Sequence, residues 1–155
     1  MVEINNLWGG KVPEEVLKRA ASLTLQTELG EKKKEVSITL VSQDKIRQLN
    51  RKFRKIDYPT DVLAFPIGNG FISTRDILGD VVISPEVALR QAKGHSFEDE
   101  LALLVIHGIL HLLGYRDEEE KVRKTMEDEE RKILKKMGIS EKIIGNVKTL
   151  MKDST

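Results

Sequence analysis

The chain has 155 residues, 33% of them charged and 39% hydrophobic, with a formal charge of +1 at pH 7 and no cysteine. That length and balance describe one globular domain, residues 1–155, able to bury about two-thirds of its unfolded surface. They exclude disulfides, thiolate metal ligands and any global pull toward nucleic acid or membrane, so a basic partner surface must be local.

The first residues lack the basic-then-apolar pattern of a signal peptide, which makes the cytoplasm the expected compartment. Val2 to Leu7 alternates Val2 and Ile4 against Glu3 and Asn5 and is expected as a strand, broken by Gly9-Gly10. Pro13 suits a first helical position, and Val16, Leu17, Ala20, Ala21, Leu23 and Leu25 carry an apolar face as far as Gly30. Lys32-Lys33-Lys34 reads as a solvated turn.

Val36 to Val41 alternates again, with Val36, Ile38 and Leu40 on one side, and reads as a half-buried strand. Ser42 can cap the helix that follows, whose expected inward face is Ile46, Leu49 and Phe53. From Gln43 to Ile56 six basic residues (Lys45, Arg47, Arg51, Lys52, Arg54, Lys55) face one acid, Asp44, a net +5 with Phe53 and Tyr58 interleaved. Arg47, Arg51 and Arg54 fall within about 60° of one another around a helix. Such a stripe in a nearly neutral chain is a candidate phosphate-binding surface, although an ordinary solvated helix face has the same pattern.

Tyr58-Pro59-Thr60-Asp61 has turn chemistry, and Val62-Leu63-Ala64-Phe65 is an apolar strand stopped by Pro66. Gly68-Asn69-Gly70 is a loop, and Ile77 to Ile83 a strand interrupted by Gly79-Asp80. Ser84-Pro85-Glu86 opens a helix reaching about Lys93, and His95 after it reads as a surface or capping residue.

Residues 96 to 117 are the stretch around which the rest is organised. Ser96 with Asp99 marks a helix start. From Leu101 to Leu113 every residue is apolar except His107, Gly108 and His111, so neighbours must bury this helix on most sides, and it is too short to span a bilayer. Histidines four apart lie about 40° apart, one turn above the other, so their imidazoles can meet at one ion. Gly114 can end the helix in the left-handed conformation, and the reversed chain returns Asp117 toward the same point. That is the mechanics of the His-Glu-x-x-His-x-x-Gly-x-x-His metal site, with a carboxylate, acceptable to zinc, as third ligand. A lone histidine in an apolar helix is usually a core residue; this pair, cap and carboxylate together point to a metal. Gly108 stands where a zinc peptidase needs its Glu base, which argues against peptide hydrolysis and leaves space beside the ion for a phosphate. Beyond Asp117, Glu118 to Lys136 reads as an amphipathic helix with Val122, Met126, Ile133 and Leu134 inward and Glu127–Arg131 and Asp128–Lys132 pairs outward. Gly138 stops it, and Ser140 to Met151 is expected as a last short helix.

Four stretches in order resemble one family: Leu49-Asn50-x-x-Phe53-Arg54; Pro59-Thr60-Asp61-Val62-Leu63-Ala64-Phe65-Pro66; Leu78-Gly79-Asp80-Val81-Val82-Ile83-Ser84; and His107-Gly-Ile-Leu-His111-Leu-Leu-Gly114-Tyr115. They are similar to the YbeY family, bacterial metal-dependent, single-strand-specific endoribonucleases that act in ribosomal RNA maturation at the 16S 3′ end and in ribosome quality control. The resemblance implies an α/β (α+β) fold: a small mixed sheet of about four strands with about five helices and a zincin-like metal-binding helix at the centre. It implies zinc, held in the family by His-Gly-x-x-His-x-x-Gly-Tyr-Asp-His. His107 and His111 match the first two ligands, while Arg116-Asp117 stands where the family has Asp-His. Asp117 therefore gives a two-histidine, one-carboxylate site, whose added negative charge shifts preference from zinc toward other, harder divalent metals.

The family's arginine near the cleft matches Arg54, expected to hold the scissile phosphate, with Arg47, Arg51, Lys52 and Lys55 gripping the flanking backbone. With no Glu at position 108, the base would be water on the metal, Asp80 or a substrate group. Expected partners are ribosomal RNA, the small subunit and its assembly proteins, with no membrane and a monomer by default. Two other readings stay open: a metal hydrolase of peptides or small esters, and a ribosome-assembly factor with a structural ion. The last needs a fourth ligand, from Glu118 or His95.

Overall fold

The computed structural model describes residues 1–67 and 77–144. In chain order the elements are β1 (Val2–Asn6), α1 (Glu14–Leu29), β2 (Glu35–Leu40), α2 (Gln43–Arg54), β3 (Val62–Pro66), β4 (Ile77–Ile83), α3 (Pro85–Gln91), α4 (Phe97–Leu112) and α5 (Glu120–Met137), followed by a 3-10 turn at Glu141–Ile143. The strands form one sheet in the order β1-β2-β4-β3. β1 and β4 run parallel to β2, and β3 runs antiparallel to β4 at the edge. This is the mixed four-stranded, five-helix α/β architecture that the resemblance implies.

Alternation along the strands separates two apolar layers. Val36, Ile38, Leu40, Val62, Val81 and Ile83 face the main core with α1, α4 and α5. Leu63 and Val82 point the other way, onto Ile46 of α2. A strand turns successive side chains to opposite faces, so one sheet holds both helix layers. α4 lies in the main core with every residue from Glu100 to Leu110 buried, as its nearly continuous apolar sequence requires. Among the described residues no helix is long and apolar enough to cross a membrane.

The caps follow sequence chemistry. Ser42, Ser84 and Ser96 each accept a backbone N–H of the first turn of α2, α3 and α4. Pro13 stands one residue ahead of α1 rather than inside it. Gly79 and Asp80 do not interrupt β4. The strand absorbs one extra residue, so that β2 pairs Glu35 with Ile77 but Val36 with Gly79. Pro66 is the last residue of β3 rather than its stop; at a sheet edge its missing N–H costs no ladder bond.

Three packing expectations change. Phe53 is 56% exposed instead of inward. It sits in the last turn of α2, where its ring meets the edge of Phe65, while buried Asn50 takes the inward place and donates to the Tyr58 carbonyl at 2.8 Å. Val122 is 37% exposed because the inward stripe of α5 begins only at Met126. On that helix Arg131 pairs with Asp128 and Lys132 with Glu129, three residues apart rather than four, each at 3.0 Å. Ser140 caps the 3-10 turn. The rest of the helix expected to Met151 lies outside the described residues, as does the Gly68-Asn69-Gly70 loop.

Candidate metal centre

The end of α4 builds the site. Gly114 adopts a left-handed φ of 102°, and its N–H and that of Tyr115 return to the carbonyls of His111 and Leu110, both at 3.0 Å. These two bonds reverse the chain. Arg123 then donates to the Asp117 carbonyl at 3.1 Å, and the Tyr115 hydroxyl donates to Glu28 of α1. Asp117 is thereby held beneath the two histidines.

The three donor atoms converge. His107 Nε2 and His111 Nε2 are 3.0 Å apart, and Asp117 Oδ2 lies 3.8 Å from the first and 3.6 Å from the second. Donors about 2.0–2.2 Å from a tetrahedral zinc ion stand about 3.3–3.6 Å apart, a range these separations bracket. His107, His111 and Asp117 are the group among the described residues able to share an ion.

Glu130 completes the arrangement. This acid is buried in α5, with Oε2 3.1 Å from His107 Nδ1. An Nδ1–H given to a carboxylate leaves the Nε2 lone pair facing the cluster, the tautomer a metal ligand needs. Burial opposes charge on His107, yet Glu130, with Asp61 and Asp117, outweighs it and raises the imidazole above its ordinary value. The hydrogen bond with His111 holds Asp117 down at about 2 against partial burial, so its oxygen is an anionic donor at neutral pH. Asp61 is pushed up to about 6 by burial, offset by His107 and by the N–H groups of Asp61 and Val62.

A groove of about 370 Å³ runs from this cluster along β3 to the end of α2. Phe53, Arg54, Phe65, His111, Arg116 and Asp117 all line it. Arg54 therefore lines the same groove as the metal cluster, at its α2 end. Arg47 is instead held by Asp57 at 2.9 Å, and Arg51, Lys52 and Lys55 are exposed on α2 and its cap, outside the groove lining.

Other expectations need correction. Gly108 lines the groove, but a Cβ there would meet Val81 Cγ1 at 2.5 Å. The glycine lets α4 press onto the sheet rather than make room for a phosphate, and a Glu base has no place to start. Asp80 is not positioned as a base: it points to the α2 side of the sheet and accepts from Ser37 at 2.8 Å and Thr39 at 2.9 Å. His95 is neither a surface residue nor a ligand, because its ring is buried against Glu100. Glu118 borders the groove outside the three-donor group.

Two site residues are absent from the sequence-based candidates. Glu130 had a visible signal: it lies on the same stripe of α5 as Met126, Ile133 and Leu134, where an acid needs a partner. Arg116 adds a second cation to the groove, and only the fold shows where it stands.

The chain is similar to known proteins along most of its length. The family described as Endoribonuclease YbeY matches residues 5–138. The chain is 44% identical over 145 residues to a Carboxydothermus hydrogenoformans protein named Endoribonuclease YbeY, covering 90% of this chain and 99% of that one. A protein of the same name from Aquifex aeolicus is 47% identical over 110 residues, 70% and 72% of the two chains. Among solved structures, the solution structure of a Thermotoga maritima protein superposes with a TM-score of 0.57 at 28% identity, covering 88% of this chain and 91% of that one.

Proposed function

The chain belongs to the Endoribonuclease YbeY family and is an endoribonuclease; from that premise we propose that it cuts single-stranded ribosomal RNA, at the 3′ end of the small-subunit RNA, during ribosome maturation and quality control in the cytoplasm. The supporting observation is the convergence of His107, His111 and Asp117 at one end of a groove that also presents Arg54. In this reading residues 1–155 are one domain, and the small subunit and its assembly proteins are its surroundings.

His107 Nε2, His111 Nε2 and Asp117 Oδ2 are the atoms that would hold a divalent cation, with zinc the first choice and Asp117 widening the range. A divalent ion held there would supply Lewis acidity toward a phosphodiester. Glu130 keeps His107 in its ligand tautomer through the 3.1 Å contact. Arg54 grips nonbridging oxygens of the scissile phosphate and offsets charge that builds there. Arg116, in the same groove, balances Asp117 and attracts the strand. Arg47, Arg51, Lys52 and Lys55 hold flanking phosphates and make binding salt-sensitive.

The absent Glu base counts against the peptidase reading: Gly108 stands in its place, where a Cβ would meet Val81 Cγ1 at 2.5 Å. The structural-ion reading lacks its fourth ligand among the described residues. The test is a small-subunit RNA fragment with an unprocessed 3′ extension, offered single-stranded and as a duplex. Cleavage confined to the single-stranded segment, lost with chelator and with His111→Ala, is expected. An uncut fragment, with hydrolysis of a peptide or ester instead, would overturn the proposal.

A further inference from the structure

Phe53 is unusual for an aromatic residue in a helix beside a core: more than half its surface is in water. Its position is nevertheless fixed. The ring meets Phe65 edge-on, with centroids 5.1 Å apart and planes at 69°, and Lys52 Nζ stands 5.3 Å from its centroid. Phe53 and Phe65 line the groove that holds Arg54, His111 and Asp117. Phe53 also immediately precedes Arg54 in the chain, so an aromatic face and a phosphate-binding cation share one helix end.

The strand beneath adds polar groups. Ser84 donates to the Asp61 carbonyl and Ile67 to that of Leu78, which turns odd-numbered residues of β3 toward β4. By alternation, the N–H and C=O of Ala64, another groove residue, point away from β4, on the side of β3 where no described strand pairs. Aromatic face, cation, donor and acceptor are the complement of a nucleotide with its base unstacked.

We propose that Phe53 is a stacking platform for one unpaired nucleobase of the RNA, which sets the strand's register so that the adjoining phosphate reaches Arg54 and the metal end of the groove. The proposal rests on the endoribonuclease reading for its ligand class. Its occupant is a base of single-stranded RNA, because the apolar surface is continuous with a cationic groove and is flanked by Lys52 and Arg54. Stacking on one aromatic side chain is worth roughly tenfold to a hundredfold in binding. Phe53 positions the strand; it does not touch the reacting atoms.

The test separates stacking from plain hydrophobic packing. Phe53→Ala and Phe53→Leu should raise KM for a single-stranded oligoribonucleotide roughly tenfold to a hundredfold with little change in kcat, and Phe53→Trp should restore it. The Phe53→Ala defect should vanish on an oligoribonucleotide carrying an abasic site at the stacked position. Binding is read without cleavage by titrating Phe53→Trp with a short oligouridylate in chelator. The wild-type chain, whose one tryptophan is Trp8, serves as the blank. Quenching by oligouridylate but not by its abasic counterpart supports the platform even if the parent chain proves unable to cut RNA, which would count against the nuclease reading alone. Leu performing as well as Phe, or a bound strand that leaves the fluorescence of the Phe53→Trp variant unchanged, would overturn it. So would a strand that does not bind, or quenching by an aromatic peptide but not by RNA.

Discussion

The groove is built by two helices of opposite character. α4 is buried almost throughout and offers the site only its last two turns, with His107, His111 and the returning Asp117. α2 buries Ile46 and Asn50 and leaves its basic residues and Phe53 in solvent. Chemistry on α4 is thus inseparable from the core, while contacts on α2 are supported by the fold without supporting it. The pairing separates two tasks, holding the ion and holding the strand, so that each can be broken alone.

The sharpest break is on α4. His111→Ala should leave the chain without bound metal and without detectable RNA cleavage, read by elemental analysis and a cleavage gel. Arg54→Ala is the counterpart on α2: cleavage should fall roughly a hundredfold to a thousandfold while metal content and melting temperature stay at parental values. Glu130→Gln comes next. It keeps the shape of the side chain but removes its anionic partnership with His107 Nδ1, and metal affinity should drop about 10- to 100-fold in a competition titration with a chelating dye.

Gly108→Ala tests the core side of α4. Its Cβ would press on Val81, which cannot retreat from a strand in the middle of the sheet. A loss of about 1–3 kcal/mol in a denaturant melt is expected. The mildest change is on the outer stripe. Arg51→Ala should lower the log–log salt slope of RNA binding by about 1, and Arg47→Ala by less, because Asp57 already holds that guanidinium. Equal effects from the two would mean that Asp57 releases Arg47 when RNA binds.

The sequence carried the α4 half of this account further than the α2 half. His107, His111, Gly114 and Asp117 are joined by helix periodicity and one left-handed cap, rules that act over a few residues, and the separations among the donors follow from them. Strand alternation likewise marked Val36, Ile38 and Leu40 as the buried side of β2. What escaped depends on distance along the chain. The Glu130–His107 contact spans 23 residues, and no local pattern names its partner. Phe53 reads as core by helical spacing, and only the fold shows that it lies more than half exposed against the edge of Phe65. Gly108 was explained from the site side, whereas its reason lies behind the helix, in Val81. Asp80 was a candidate base until the register of β4 placed it on the opposite face.

The central claim, that ion holding and strand holding reside on separate helices, is tested most directly by metal content and RNA cleavage measured side by side on His111→Ala and Arg54→Ala. About one ion per chain in Arg54→Ala, none in His111→Ala, and cleavage lost from both is the predicted result. Cleavage that survives in Arg54→Ala, or that persists in a His111→Ala chain free of metal, would contradict it.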